Sequence, residues 1–110
     1  MLIERKEYLD TDGSVGYIEA IFDSTNILRV TFFPKSERLY IAFSRGNTYS
    51  YPNFTEKLYT EFEECESQGK FFNTKINRNK NHPSRKEFTL YPTELLELKE
   101  IVKNKIDDDD

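Results

Sequence analysis

Residues 27–51 read ILRVTFFPKSERLYIAFSRGNTYSY, and this stretch decides the fold. Within it, Leu39, Ile41 and Phe43 occupy every second position. An alternation with a period of two is typical of a strand that lays one face on a core. The stretch therefore predicts three consecutive strands, joined by turns at 34–37 and 45–47. These strands cover residues 27–33, 38–44 and 48–51.

A second pair of strands is predicted before this stretch. Residues 2–9 and 15–22 flank the sequence Asp-Thr-Asp-Gly-Ser. The Asp12-Gly13 step supplies the positive φ that a tight turn needs. These residues predict an N-terminal hairpin. At the other end of the quoted stretch, Pro52 has no amide hydrogen for a strand ladder and should end the strand 48–51.

An amphipathic helix is predicted after Pro52. Asn53 stands three residues before Glu56, which is the spacing of a capping box. The helix should pack on the sheet and end at Gly69, because glycine favours the end of a helix. Its apolar residues recur at steps of four, four and three, so they form one face. They are Phe54, Leu58, Phe62 and Cys65.

The C-terminal part of the chain predicts one more strand and one more helix. The strand covers residues 87–91, and Pro92 suits the first position of a helix. An apolar stripe follows along this helix: Leu95, Leu98, Val102 and Ile106. The aspartates at 107–110 oppose the helix dipole, so we expect them to fray. The predicted fold class is α+β: one domain with a mainly antiparallel sheet, a central amphipathic helix, and a C-terminal helix that closes the open side.

The composition limits the classes of protein to consider. A chain of 110 residues holds one modest core. Its apolar runs fall short of the ~20 residues that span a bilayer, and its first ten residues carry charges where a signal peptide would be apolar. We expect a soluble cytoplasmic protein without a membrane partner. Cys65 is the only cysteine and has no partner for an internal disulfide.

Positive charge is concentrated in residues 70–86, which we call the basic segment. The chain holds 16 basic and 20 acidic residues, for a net charge of -4. The basic segment contains no acidic residue, and its asparagines are interleaved with six cations. Phosphate binding needs such cations, with amides to fix the register of the ligand. The cations are Lys70, Lys75, Arg78, Lys80, Arg85 and Lys86.

Four short motifs make residues 24–78 resemble a KTSC domain. This module occurs at the C-terminus of some lysyl-tRNA synthetases and as small bacterial and phage proteins. The motifs are Ser24-Thr25-Asn26-Ile27, the turn at Gly46, Tyr49-Ser50-Tyr51, and Ser67-Gln68-Gly69-Lys70-Phe71-Phe72-Asn73 with Ile76. The resemblance implies RNA binding and no enzymatic activity. Asn77 stands where the family usually has a basic residue, and Arg78 follows it.

The resemblance also divides the chain into three parts within one compact domain. Residues 1–23 form an N-terminal hairpin extension, residues 24–78 the KTSC-like module, and residues 79–110 a C-terminal strand and helix with an acidic tail. The two flanking parts are additions to the module.

No set of residues in the sequence predicts catalysis, a cofactor or a metal site. His82 and Cys65 are the only residues of their kinds, and Cys65 lies on the apolar helix face. A zinc site needs about four ligands of suitable type. Asp10-x-Asp12-Gly13 matches only part of a calcium loop and predicts a turn instead. We therefore expect a binding protein that is not an enzyme.

The preferred hypothesis is capture of single-stranded RNA or another phosphate-bearing ligand. Tyr49 and Tyr51 would offer flat faces for bases, although their shared face is equally suited to the packed side of the sheet. Phe71 and Phe72 are adjacent, so in an extended segment at least one would enter the core. The basic segment itself is equally consistent with a solvated loop. The candidate ligand-binding residues are Tyr49, Tyr51, Lys70, Phe71, Asn73, Lys75, Arg78, Lys80, Arg85 and Lys86.

Two alternative functions use other features of the chain. A small phage or mobile-element protein of this acidity would inhibit a host defence protein, using the face of Glu61, Glu63, Glu64 and Glu66. Alternatively, a homo-oligomer would enclose a small nucleotide signal between its copies.

Overall fold

Six antiparallel strands form one sheet whose spatial order follows the chain. The computed structural model describes residues 1–108. The result confirms the predicted α+β class, and three of the predicted strands have the observed bounds. The strands are β1 (Leu2–Leu9), β2 (Val15–Phe22), β3 (Ile27–Phe33), β4 (Arg38–Phe43), β5 (Asn47–Tyr51) and β6 (Arg85–Thr89).

Three helices and one π-helical turn complete the fold. Two of the helices and the π-helical turn lie between β5 and β6, and the third helix follows β6. No helix within residues 1–108 is long and apolar enough to cross a membrane. The helical elements are α1 (Glu56–Glu64), α2 (Gln68–Phe71), the π-helical turn (Phe72–Ile76) and α3 (Pro92–Asp108).

The inner face of the sheet carries the larger core, which is rich in phenylalanine and is covered by α1, α2 and the π-helical turn. Phe32 on β3 stacks on Tyr59 of α1, with ring centroids 4.4 Å apart and planes 5° apart. Phe54 and Phe22 meet Phe62 edge-on, at 6.4 and 5.5 Å. Such pairs add to the stabilisation that comes from the buried area itself. The inner core therefore ties α1 to the central strands.

The outer face of the sheet is covered only in part. Leu98 of α3 joins a smaller core with Ile21, Leu28 and Ala42 of the sheet. Leu95 and Val102 are half-buried against this core, as the predicted stripe requires, whereas Ile106 is exposed. The predicted closure of the open side is therefore partial, because the last turns of α3 extend past the apolar patch.

The start of α1 differs from the prediction. The Thr55 hydroxyl, and not Asn53, caps the helix by accepting a hydrogen bond from the Leu58 amide at 3.1 Å. Asn53 has a φ of 61°, a left-handed conformation that asparagine tolerates better than most residues. Its side chain donates to the Asn81 carbonyl at 2.8 Å. Asn53 thus binds the basic segment and is not available to α1.

The end of α1 also differs from the prediction. The helix ends at Glu64, and Gly69 lies inside α2. Ser67 starts α2, since its hydroxyl accepts a hydrogen bond from the Lys70 amide at 3.2 Å. The chain therefore restarts a helix where the sequence predicted an end, and this second helix carries Phe71 into the inner core.

The C-terminal elements begin and end close to the predicted residues. β6 starts at Arg85, two residues earlier than expected, because Arg85 and Lys86 pair with Ser50 and Tyr49 of β5. Pro92 is the first residue of α3, as predicted. Of the aspartates predicted to fray, Asp107 and Asp108 are helical. Residues 109–110 lie outside the described part of the chain.

Replacing Phe32 by alanine should destabilise the protein severely. The substitution removes a fully buried ring and its stacking on Tyr59, so we expect a loss of about 3–5 kcal/mol in the free energy of unfolding. Urea denaturation measures this loss. Tyr91→Ala is the control, because Tyr91 is 78% exposed and should change stability by less than about 0.5 kcal/mol. Equal losses in the two variants would contradict the assigned core.

Candidate ligand-binding surface

The basic segment is an ordered part of the fold. Phe71, Ile76 and His82 are buried and anchor it to the rest of the domain. Within the segment, the Asn77 amide donates to the Phe72 carbonyl at 2.7 Å. Its cations are therefore held against the folded body, as a binding surface requires.

The middle of the basic segment is also joined to the chain between β5 and α1. The Nδ1 atom of His82 lies 2.8 Å from the Pro52 carbonyl oxygen, at hydrogen-bond distance. The His82 ring packs on Phe54, with centroids 5.4 Å apart. The hydrogen bond from Asn53 to Asn81 adds a second link. The only histidine therefore has a structural role at this junction.

Five of the six cations are free to meet a ligand. All six are exposed. Of these six, only Arg85 lies within 4.0 Å of a carboxylate oxygen of residues 1–108. The Lys75 ammonium lies over the Phe71 ring at 5.4 Å, a cation–π contact that fixes its position but leaves its charge available. The five cations without a carboxylate partner are Lys70, Lys75, Arg78, Lys80 and Lys86.

Arg85 belongs to a hydrogen-bonded cluster on β4, β5 and β6. Its Nε donates to the Glu87 carboxylate at 2.6 Å, and the Ser50 hydroxyl donates to the same oxygen at 2.6 Å. Arg38 in turn donates to Ser50 at 2.8 Å. The hydrogen bond from Ser50 and the one from Arg85 lower the pKa of Glu87 below its usual value. Arg85 is therefore less available to a phosphate than its neighbours.

The candidate stacking residues lie mostly in the inner core. Tyr51 is 4% exposed, and its ring meets Phe72 edge-on at 5.7 Å. Burial raises the pKa of Tyr51 far above its usual value. Tyr49 is half-buried against Phe43 at 6.0 Å. The shared face of Tyr49 and Tyr51 is thus the packed side of the sheet, and Tyr51 cannot stack on an external base.

Phe71 and Phe72 both point into the inner core. Phe71 meets Phe62 at 5.5 Å, and Phe72 meets Phe43 at 5.2 Å. The expectation that at least one of the two rings enters the core is confirmed, and both do so because these residues are helical rather than extended. Successive side chains on a helix diverge by about 100° rather than 180°, so both rings reach the same core.

Lys70 and Asn73 line a polar groove of about 430 Å³, separate from the rest of the basic segment. One wall is the chain at 23–26 and the other is the chain at 66–73. Two carboxylates, Asp23 and Glu66, also line the groove. With one lysine and two carboxylates, this groove suits a polar ligand that accepts and donates hydrogen bonds better than it suits a polyanion.

The two walls of this groove are two of the four sequence motifs. The KTSC domain model matches residues 23–79. The chain belongs to the KTSC domain family.

A solved structure agrees with the family assignment. The crystal structure of a KTSC domain protein from Yersinia pestis is 27% identical in sequence, with a TM-score of 0.59. The similarity covers 64% of this chain and 96% of the Yersinia pestis chain. No curated protein sequence matches the chain.

The KTSC motifs of this chain meet each other within the fold. Tyr51 contacts Phe72, so the Tyr-x-Tyr motif packs on the motif after α1. Gly46 is buried with a φ of 99°, a conformation that favours glycine, and it closes the turn from β4 to β5. These motif residues support the inner core and the turn, whereas Ser24, Asn26 and Lys70 line the polar groove.

Sequence reasoning missed a row of aromatic rings on the outer face. Tyr8 stacks on Tyr17 at 4.4 Å, Tyr17 lies 5.4 Å from Phe33, and Phe33 lies 5.6 Å from Tyr40. The row crosses β1 to β4. The signal available in the sequence was the alternation, which places Tyr40 on the face of β4 opposite to Leu39 and Ile41. The pattern separates the two faces but does not say which face a helix covers.

Replacing Ser50 by alanine should raise the pKa of Glu87 towards its usual value, because the largest cause of the lowering is removed. Carbon-13 NMR titration of the glutamate carboxyls measures the change. A lowered pKa in the folded state stabilises the protein at pH values above the usual glutamate pKa, and this stabilisation disappears as the pH falls through the folded-state value.

The stability difference between wild type and S50A should therefore shrink in acid. Asp12 is the internal control, because Ser14 holds its pKa low and S50A should leave it unchanged. A Glu87 titration that is identical in the two proteins would contradict the assigned hydrogen bond.

Two substitutions at Asn53 should separate its hydrogen bond from its backbone conformation. Asn53→Gly loses the bond to the Asn81 carbonyl but keeps the left-handed φ, so we expect a cost of about 1 kcal/mol. Asn53→Ala should cost about 1–2 kcal/mol more, because alanine resists that conformation. Chemical denaturation measures both values. A glycine variant that is no more stable than the alanine variant would contradict this account.

Proposed function

We propose that this KTSC protein is a non-enzymatic module that binds single-stranded RNA or another phosphate-bearing ligand through its basic segment. The observation that carries the proposal is the set of exposed cations without carboxylate partners on an anchored chain. Lys75, Arg78 and Lys80 form its middle. An anchored cation loses less conformational entropy on binding than one on a free loop, so it binds a phosphate more tightly.

Amide side chains of the segment support the same function. Asn73 and Asn77 are exposed beside the cations and offer both donors and acceptors to a sugar or phosphate. Asn79 differs, because its amide donates to the Lys75 carbonyl at 2.9 Å and its oxygen accepts from the Asn81 amide at 2.9 Å. Asn79 therefore shapes the turn that carries Arg78 and Lys80.

Charge must dominate binding at this segment, since its aromatic rings lie in the core. If about four phosphates are contacted, each contributes about 0.7 to the slope of log affinity against log salt. The affinity for an oligonucleotide should then fall about fiftyfold between ~50 and ~200 mM salt. Fluorescence anisotropy with a labelled single-stranded RNA measures this fall. An affinity that does not change with salt would contradict the proposal.

Neutralising three cations together should weaken binding and flatten its salt dependence. In the variant K75Q/R78Q/K80Q, we expect the slope to become shallower by about 2, since three phosphate contacts are lost. The matched control is K99Q/K103Q/K105Q, which removes three exposed lysines from α3. Equal effects of the two variants would show that net charge, and not the basic segment, determines affinity.

A protein partner is the second candidate function. Glu61, Glu64 and Glu66 are exposed, and no cation within residues 1–108 pairs with them. Glu63 is engaged with Arg5 at 2.7 Å. An inhibitor of a host defence protein would use this acidic surface, so the reversal E61K/E64K/E66K should abolish capture of the partner and leave oligonucleotide binding intact. A small nucleotide enclosed in a homo-oligomer would instead co-purify and absorb near 260 nm.

A further inference from the structure

A second concave site lies on the outer face of the sheet, on the side opposite the inner core. We call it the outer groove. It has a volume of about 210 Å³ and is mostly apolar. It is open to solvent, and part of it lies on strands of the aromatic row. Its lining residues are Arg29, Thr31, Phe33, Tyr40, Ala42, Thr48 and Phe88.

The outer groove combines small residues with large rings. Ala42 and Thr48 are buried and form its floor. Phe33 and Tyr40 are half-buried and meet edge-on at 5.6 Å, and Phe88 of β6 is 48% exposed. Small floor residues between aromatic walls leave a slot for a flat ring, which stacks on or meets the walls edge-on. The slot is smaller than the ~300 Å³ of a typical drug-sized site, so it suits one ring system.

The hydroxyl of Thr48 is a buried polar group of the outer groove. Thr48 is 2% exposed, and its Oγ1 has no hydrogen-bond partner within residues 1–108. A buried hydroxyl without a partner costs about 1–3 kcal/mol. A ligand with a polar edge would supply the missing partner.

Arg29 is the cation of the outer groove. Lys86 pairs with Tyr49 and therefore faces the inner side of the sheet, whereas Phe88 pairs with Thr48 across a bulge and faces the outer side. Arg29, within the groove, lies 3.6 Å from Glu94 of α3. A phosphate carried by a ligand in the groove would therefore meet Arg29 rather than Lys86.

We infer that the outer groove binds one base of a nucleotide, a planar nitrogen heterocycle stacked beside Phe88 with a polar edge atom at the Thr48 hydroxyl. The inference rests on the proposed function for the class of ligand, and it adds the stacking site that Tyr49 and Tyr51 do not provide.

The chemistry of the groove favours a base over an aromatic protein side chain. A base carries ring nitrogens, amino groups or carbonyls around its edge, and these pair with a hydroxyl as donor or acceptor. A phenylalanine ring has no such atom, and a tyrosine or tryptophan ring has only one. In a nucleotide the base is joined to a phosphate, which Arg29 in the groove would attract.

The first experiment tests the groove without phosphate. Adenosine, guanosine, cytidine and uridine are titrated into the full chain, and amide chemical shifts are followed by NMR. We expect saturable shifts at Thr31, Ala42 and Thr48, and tighter binding of the 5′-monophosphates than of the nucleosides. The absence of saturable shifts at these amides with all eight compounds would overturn the inference.

Phe88→Ala should weaken nucleoside binding about tenfold, because it removes one stacking wall. Tyr91→Ala is the matched control, since Tyr91 is close in sequence and exposed but does not line the groove. Both variants remove exposed rings, so both should fold. Equal binding by F88A and Y91A would overturn the inference.

Thr48→Val separates a binding role of the hydroxyl from a structural one. Valine has the same shape without the hydroxyl, so the ligand-free protein should unfold at a temperature about 4 °C higher. Nucleoside binding should nevertheless weaken about fivefold, since the hydrogen bond to the ligand is lost. An unchanged or improved affinity in T48V would remove the proposed role of this hydroxyl.

The same proteins distinguish failure of the inference from failure of the proposed function. K75Q/R78Q/K80Q should weaken oligonucleotide binding without changing nucleoside binding. If nucleosides bind in the groove but oligonucleotide affinity ignores both salt and this variant, the basic-segment proposal fails and the groove stands. If oligonucleotides bind with the expected salt dependence but F88A binds nucleosides as tightly as wild type, only the groove inference fails. Groove shifts with a tyrosine peptide but with no nucleoside would instead assign it to a protein partner.

Discussion

The insertion of Phe71 and Phe72 into the inner core is the constraint on which the candidate ligand-binding surface depends. These rings pack on Phe62 and Phe43, at 5.5 and 5.2 Å. They fix the chain on both sides of themselves, so Lys75 is displayed from the π-helical turn and Arg78 and Lys80 from the turns that follow it. The same insertion removes both rings from contact with any ligand. Each of these rings can therefore anchor the basic segment or stack on a ligand, but it cannot do both.

The two faces of the sheet consequently differ in what they can bind. The inner face is closed by α1, α2 and the π-helical turn, and its aromatic rings serve stability. The outer face keeps a row of rings from Tyr8 to Tyr40, because α3 covers only the patch around Leu28 and Leu98. The basic segment begins in the helical elements that cover the inner face, whereas the rings of the aromatic row lie on the outer face. β6 joins the two regions, since it begins with Arg85 and Lys86 and carries Phe88.

The sequence predicted the strands well because a period of two depends only on neighbouring residues and on one buried face. The caps and helix ends failed because tertiary contacts decided them: Asn53 binds Asn81, and Ser67 starts a second helix that buries Phe71. The stacking residues failed for a different reason. The alternation around Tyr40 and Tyr49 places them on opposite faces, but only the packing of the helices shows which face is closed. The cations were identified correctly as exposed, since charge alone keeps lysine at the surface.

The C-terminal extension is an integral part of the surfaces that the KTSC module presents. The Leu90 amide donates to the Gly46 carbonyl at 2.8 Å, and a Cβ on Gly46 would lie 3.6 Å from Leu95, so the extension docks directly on the glycine turn of the module. Residues 23–79 supply most of the outer groove, but Phe88 lies beyond them. Glu94, which holds Arg29 at the groove, also lies beyond them. The outer groove in this form is therefore a property of the whole chain, because the module alone lacks one of its aromatic walls and the partner of its arginine.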